Sequence, residues 1–356
     1  MFGLGGKIKE SDVLDALRTV EDPDLHKDLV TLKMIKDIKI NGKNISFTVD
    51  LTTPACPLKE KIEADCRKAI KDHIPEVEEI KILMTSTVSA FDLNKKMLSG
   101  VKNIIAIASG KGGVGKSTVS TNIALALASK GAKVGLMDAD IYGPTIPALL
   151  DVHEQPMVTD DKKMIPLEKH GLKLMSIGFL LKGDEPVIWR GPMVAGVVQQ
   201  FLRDVDWGEL DYLIIDLPPG TGDAQLTLSQ AIPLSGVAIV STPEDVAMNI
   251  AVKALSMFKH LKVPILGIIE NMSYFKAPDT GNIYHIFGQG GGKRASEKLG
   301  VKFLGEIPLD MSIRSGGDDG KPVVFYDPES EQAKVFQQIA GNLAASLSIE
   351  MMSMAF

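Results

Sequence analysis

NIIAIASGKGGVGKSTVSTNIALA, residues Asn103 to Ala126, contains a whole strand–loop–helix transition. Its β-branched run, Ile104, Ile105 and Ile107, suits a strand buried on both faces. Apolar residues then return at helical spacing, at Val119, Ile123, Ala126 and Leu127. Between them, Gly110 to Ser117 reads GKGGVGKS, a complete G-x-x-x-x-G-K-[ST] loop. Glycines let backbone N–H groups turn inward around phosphate oxygens, and the helix that follows offers its positive N-terminal end to them. The predicted nucleotide-binding set is therefore Gly110, Lys111, Gly112, Gly113, Val114, Gly115, Lys116, Ser117 and Thr118. Within it, Lys116 can reach the β- and γ-phosphates and the Ser117 hydroxyl can ligate Mg²⁺. A strand before the loop and a helix after it are the context such a loop requires. The stretch predicts a nucleoside triphosphate as ligand.

Beyond it, apolar strands alternate with helical segments, the signature of an α/β fold with a doubly wound, mostly parallel sheet. Lys133 to Met137 reads as the second strand, ending in Asp138-Ala139-Asp140. Leu172 to Ser176, Asp211 to Asp216, Val237 to Ser241 and Ile265 to Glu270 read as further strands. Ligands of such sheets bind at the carboxyl ends of the strands, and the aspartates fall there. Asp216 closes the apolar YLIID and is expected to hold Mg²⁺ through water, supported by Asp138, with Asp140 positioning the attacking water. A strand-end aspartate can also simply cap a helix or turn. Leu217 to Asp223, rigid and then flexible, suits a loop that senses the γ-phosphate. Asp151 to Leu181 reads as an insertion with a hairpin.

The residues before this domain form a smaller α+β unit. Expected boundaries are 1–93 for that unit, 94–102 for a polar linker and 103–356 for the nucleotide domain. Ser11 is expected to cap an amphipathic helix that stops near Glu21-Asp22-Pro23. A β-hairpin is expected around Asn41-Gly42, then TTPACPL at Thr52–Leu58, a helix to about His73 and a strand from Val77. Cys66 lies on the apolar stripe Leu58, Ile62, Cys66, Ile70 and reads as a core thiol. Cys56 sits between two prolines, with Pro57 expected in the first helical position. A thiol facing the positive end of that helix favours thiolate, and so metal binding or nucleophilicity. The alternative is a half-buried small residue in a turn.

Composition narrows the function classes. The 356 residues suffice for two domains with real cores. A net charge of −6 provides no global basic field for nucleic acid. No apolar run reaches the ~18 residues a membrane helix needs, and the first residues lack a signal-peptide apolar core. The apolar tail IEMMSMAF lacks the basic face of a membrane anchor. Two cysteines make no disulfide framework. The expectation is a cytoplasmic protein with neither nucleic acid nor membrane as partner.

Two resemblances add to this. Glu21-Asp22-Pro23 and TTPACPL resemble the small domain shared with PaaD-like assembly factors in proteins that build or deliver iron–sulfur clusters. That resemblance implies that Cys56 is the reactive cysteine. The second lysine of the loop, Lys111, marks the deviant Walker-A class, which includes ParA and MinD, the nitrogenase iron protein and the Mrp/ApbC group. The chain resembles the Mrp/ApbC iron–sulfur carriers through SGKGGVGKST (Ser109–Thr118), MDADIYGPT (Met137–Thr145), IWRGPM (Ile188–Met193), DLPPGTGD (Asp216–Asp223), STPEDVA (Ser241–Ala247) and ENMSYF (Glu270–Phe275).

The resemblance implies a P-loop ATPase that binds ATP and Mg²⁺, with Lys111, Lys116 and Asp140 as catalytic residues. Lys111 would reach across a homodimer to the other subunit's nucleotide, Asn271 would bind adenine, and Ile307 to Asp310 would pack near the base. From sequence alone, Asn271 reads equally well as a turn residue. The implied activity is carriage of a [4Fe–4S] cluster to apo iron–sulfur proteins. Carriers of this group often have C-x-x-C just after the NMS-x-F segment; here Ala277-Pro278-Asp279-Thr280 stands in its place. The six histidines form no ligand-spaced cluster, so Cys56 is the best remaining thiolate. Rival readings are a ParA/MinD-like positioning ATPase and an ATP-dependent assembly scaffold that carries no cluster.

Overall fold

Segregation of apolar, β-branched strands from small-residue helices organises the larger part of the chain, and a hairpin packed on one helix organises the smaller. The structure, a computed structural model, describes residues 8–90, 98, 100–180 and 191–355, without the side chains of residues 191, 192, 223, 224 and 355. It divides into two compact units, residues 8–89 with 352–355 in one and Ala90–Met351 in the other.

The first unit contains α1 (Glu10–Leu17), β1 (Glu21–Asp22), β2 (Lys27–Asp28), β3 (Ile35–Asn41), β4 (Asn44–Leu51), α2 (Lys59–His73) and β5 (Glu79–Ser86). The chain turns from β3 into antiparallel β4 at Asn41-Gly42, where Gly42 has φ +64°. β5 then pairs parallel with β4, and α2 makes the crossover that a parallel pair requires. Leu17, Leu29, Phe47, Val49, Ile62, Cys66 and Ile70 are buried in its core. Ser11 is not the cap of α1. The helix begins at Glu10 with Lys9 in the cap position, two residues earlier than expected, and the Asp12 carboxylate accepts the Lys9 amide at 2.9 Å, bringing negative charge to the helix N-terminus.

The second unit begins with β6 (Val101–Ser109), α3 (Lys116–Ser129), β7 (Val134–Asp138) and α4 (Ile146–Leu149). β8 (Leu167–Lys169), β9 (Leu172–Ser176), α5 (Gly191–Asp204), β10 (Leu210–Asp216) and α6 (Asp223–Ala231) follow. Then come β11 (Gly236–Ser241), α7 (Asp245–His260), β12 (Ile265–Glu270), β13 (Phe275–Lys276) and β14 (Ile283–Tyr284). The chain closes with α8 (Gly291–Leu299), β15 (Phe303–Glu306), α9 (Met311–Asp318), α10 (Val323–Tyr326) and α11 (Glu331–Ala355). Of the expected linker, residues 94–97 and 99 lie outside the described residues, and β6 already begins at Val101.

Eight strands form one sheet in the order β15-β12-β11-β6-β10-β7-β9-β8. Every pairing is parallel except β8 on β9. The chain leaves β6 for β7 on one side of the sheet and later returns to β11 on the other. The strand order therefore reverses beside β6, and the crevice at its carboxyl end is where ligands of such sheets bind. Every residue of α3 from Val119 to Leu127 is buried, which its run of Ser, Thr and Ala permits by letting backbones approach closely. Of the expected insertion Asp151–Leu181, Leu181 lies outside the described residues, and the expected hairpin is present. Its hairpin, turned at His170-Gly171, supplies β8 and β9, and β9 pairs with β7 to extend the main sheet to its edge.

Candidate functional site

Parallel pairing puts Asp216 in register with Ile107 on one side and Asp138 on the other. Two strand-end carboxylates thus stand side by side, Asp216 on the strand next to the one that feeds the phosphate loop and Asp138 one strand further out. Gly115 caps α3 in the left-handed region at φ +77°, and a Cβ there would lie 2.4 Å from Asn271 Nδ2. Both conformation and space therefore demand glycine. A cavity of about 300 Å³ lies against the loop, lined by Lys111 to Thr118, with Asp140, Gly143, Thr145 and Pro219 on its walls.

Lys116 is buried, its Nζ 2.8 Å from Asp216 Oδ2 and 3.7 Å from Asp140 Oδ2. Ser117 Oγ donates to the same Asp216 oxygen at 2.5 Å, and Ser120 Oγ lies 2.6 Å from the other, Oδ1. Asp138 is fully buried and does not line the cavity. Its Oδ1 accepts the Asp140 amide, while its Oδ2 accepts the Ile146 amide and the Ser176 hydroxyl. It braces the loop that carries Asp140. Burial, reinforced by the charge of Asp216 and opposed by Lys116, pushes the Asp138 carboxyl up to about 7. Burial also raises the Asp140 carboxyl, with Lys116 opposing and Asp216 adding to the rise.

Asp140 and Asp216 thus share one buried lysine, with Asp138 beside them, an excess of acidic groups that a bound cation would relieve. The Ser117 hydroxyl and Asp216 carboxylate are hard oxygen donors, the kind Mg²⁺ takes, so the residues present fit that ion. Lys111 points elsewhere: its Nζ lies 3.8 Å from Glu244 Oε1, with both side chains about one-third exposed. The Leu217–Asp223 loop is tied to β6 by Leu217 N to Ile107 O at 3.1 Å and Gly220 N to Ser109 O at 2.9 Å.

A second cavity, of about 680 Å³, adjoins the first through Gly115, Thr118, Thr145 and Leu149. Met272, Phe275, Pro308, Leu309 and Ile313 give it an apolar lining, and Arg314 and Asp318 stand on its wall. Asn271 is buried there, and its Nδ2 donates to the Val114 carbonyl of the phosphate loop at 2.8 Å. Met272 follows with φ +56°, a left-handed turn at the end of β12. The predicted Ile307–Asp310 segment lines this pocket from Pro308 onward. Sequence reasoning missed the rest of that wall, from Met311 to Asp318, along with Ser120 and Ser176. A serine one turn beyond Lys116 on a helix of small and apolar residues was the only visible signal for Ser120.

The thiols differ from the sequence reading in one respect. Cys66 is fully buried, and burial pushes its thiol up to about 12. Cys56 is half-buried, but α2 starts at Lys59 rather than Pro57. Burial raises its thiol above the ordinary value; the charges of Asp22 and Asp24 add to this, and the Leu58 backbone and Lys59 oppose it. The shift runs opposite to the expected thiolate. Ala277 to Thr280 forms the turn between β13 and β14, with the Gly281 amide donating to Ala277 O at 2.8 Å and the Thr280 amide to Asp279 Oδ1 at 2.8 Å. His285 Nδ1 lies 3.3 Å from Ser273 O. Among the described residues, no group of three or more His, Cys, Asp or Glu side chains is arranged to hold a metal ion. Of IWRGPM, Ile188 to Arg190 lie outside the described residues, and Gly191 opens α5.

A central parallel strand, a glycine-rich loop on a buried helix, and strand-end aspartates facing the loop lysine define a P-loop NTPase. Comparison with known proteins agrees with this class. Residues 100–344 match the family described as NUBPL iron-transfer P-loop NTPase, and residues 10–82 match one described as iron-sulfur cluster assembly protein. An iron-sulfur cluster carrier protein of Synechocystis sp. is 50% identical over 344 residues, covering 95% of this chain and 97% of that one. An iron-sulfur cluster transfer protein of Dictyostelium discoideum is 49% identical over 259 residues, covering 72% of this chain and 80% of that one. Among solved structures, a nucleotide-binding protein of Archaeoglobus fulgidus in complex with ADP aligns at 39% identity and TM-score 0.60, covering 69% of this chain and 96% of that one. The Pyrococcus furiosus cell division ATPase MinD shares the fold at 24% identity and TM-score 0.52, covering 67% of this chain and 97% of that one. The chain belongs to the NUBPL iron-transfer P-loop NTPase family. No helix among the described residues is long and apolar enough to cross a membrane.

Proposed function

We propose that this chain is an ATP-hydrolysing iron–sulfur cluster carrier that works as a homodimer across its nucleotide sites and passes clusters to apo target proteins. The nucleotide half rests on one observation: Lys116, Ser117 and Asp216 converge beside a phosphate-sized cavity that opens into an apolar pocket at Asn271. The triphosphate lies along Gly110 to Thr118 and the base enters the pocket beside Asn271 and Pro308. Lys116 exchanges Asp216 for the β- and γ-phosphates, where its charge offsets the negative charge of the transferred group. Ser117, directly, and Asp216, through water, would hold Mg²⁺, which when bound would offset the negative charge of the phosphates. Asp140, on the cavity wall, orients the attacking water, and Asp138 keeps its loop in place. Lys111 exchanges Glu244 for the nucleotide of the partner subunit.

The cargo half rests on the relatives, named as cluster carriers and transfer proteins, and on the assembly-type first unit. Cys56 is the proposed thiolate ligand, two subunits supplying two, and it must shed its proton when it binds iron, as coordinated thiols do. The scaffold reading, in which no cluster is held, is favoured by Ala277 and Thr280 in a turn with no sulfur. Anaerobic reconstitution with iron and sulfide separates the two readings. Wild type should develop cluster absorption that Cys56→Ala loses. A colourless wild type would replace carriage with scaffolding, and a fully coloured variant would remove Cys56 as a ligand.

A further inference from the structure

Among the described residues three donors hold the Asp216 carboxylate, and two of them line the phosphate cavity. Lys116 Nζ, 2.8 Å away, and Ser117 Oγ, 2.5 Å away, both reach Oδ2, and both residues line the phosphate cavity. The third donor is different. Ser120 is 0% exposed, lies one turn along α3 from Lys116 and is absent from the cavity wall. Its Oγ is 2.6 Å from Asp216 Oδ1 and 3.0 Å from the Lys116 carbonyl. A hydroxyl has one proton, and the shorter contact to a charged acceptor takes it.

We propose that Ser120 is the positioning residue for the magnesium-binding carboxylate, holding Asp216 Oδ1 against α3 so that Oδ2 stays turned toward Ser117. The terminal torsion of an aspartate is broad, so its carboxylate orientation comes from its partners rather than its rotamer. When Lys116 is drawn to phosphate and the Ser117 oxygen to the cation, Ser120 is the donor left in place. Without it, a buried carboxylate oxygen loses its hydrogen bond and the group turns toward whatever donor remains. This inference rests on the proposed magnesium–ATP reading.

The test is the affinity for a non-hydrolysable ATP analogue, measured by calorimetry in EDTA and across a magnesium titration, with thermal melts as a folding control. Ser120→Ala is expected to leave magnesium-free affinity within about twofold and to raise the magnesium midpoint about fivefold, the equivalent of one ~1 kcal/mol hydrogen bond. Ser120→Thr, which keeps the hydroxyl, should restore the wild-type midpoint. If the alanine variant unfolds, Ser120→Cys, close in size with a weak donor, replaces it with the same expected shift. An unchanged midpoint, or equal losses with and without magnesium, overturns the assignment. A wild type indifferent to magnesium would overturn the magnesium reading itself, and Ser120's role with it.

Discussion

Asn271→Ala tests whether base pocket and phosphate loop are mechanically joined. Asn271 is 7% exposed, and its carboxamide donates to the Val114 carbonyl of the phosphate loop at 2.8 Å. Truncation removes a hydrogen bond worth about 1 kcal/mol and leaves a buried carbonyl whose desolvation penalty reaches about 3 kcal/mol if it stays dry. If the loop must be held to bind phosphate, that range corresponds to roughly fivefold to 150-fold weaker binding. The assay compares an ATP analogue with inorganic tripolyphosphate, which has no base. Both should weaken in the variant, the nucleotide further because it also loses the base contact. Tripolyphosphate binding at wild-type strength would refute the reasoning, since Asn271 would then act on the base alone.

Three further outcomes follow from the same geometry. Gly115→Ala would place a Cβ 2.4 Å from Asn271 Nδ2 at φ +77°, adding about 1 kcal/mol or more of backbone strain to a forced displacement of Asn271. Nucleotide binding should be lost in calorimetry, and wild-type affinity would contradict the packing described. Burial gives the folded protein an Asp138 proton up to about pH 7 that the unfolded chain releases near 3.8, so native stability contributed by this group falls as pH rises between those values. Asp138→Asn should destabilise the nucleotide-free protein, because its NH2 must face one of the two backbone donors that the carboxylate accepts, yet flatten the loss of denaturant stability between pH 5 and about pH 7.5; an unchanged slope would exclude Asp138 as its source. In native protein at neutral pH, a thiol reagent should modify Cys56 alone and slowly, faster as pH rises past its ordinary 9.0, while Cys66 reacts only after unfolding. Rapid modification of Cys56 at pH 6 would show a thiolate.

The nucleotide machinery was legible because it is local. Strand, loop and helix are contiguous, and Asp216 announces itself by ending an apolar run. Placing Asp138 beside it required only that the strands be parallel and adjacent, and their register makes the two residues partners. The environment of Cys56 was not legible. Burial is what chiefly raises this thiol. The charges that add to it belong to Asp22 and Asp24, more than thirty positions earlier, and α2 starts late enough to leave the thiol ahead of the helix rather than at its first turn. Ser120 was hidden for a related reason: a serine in a helix usually satisfies itself on the preceding turn, and its second acceptor lies on another strand. Leu172–Ser176 was legible as a strand of the sheet, whereas its partner β8, three residues long, carries too little pattern to be read as one.

Phosphate release from ATP by wild type and Lys116→Ala tests the central assignment most directly. Lys116 is 6% exposed, its Nζ meets Asp216 and Asp140, and it is the buried cation beside the proposed γ-phosphate site. Wild type should turn over ATP with magnesium, and the alanine variant should lose roughly 10²-fold or more of that rate while remaining folded. Undiminished turnover in Lys116→Ala would contradict the assignment of this loop as the engine of the protein.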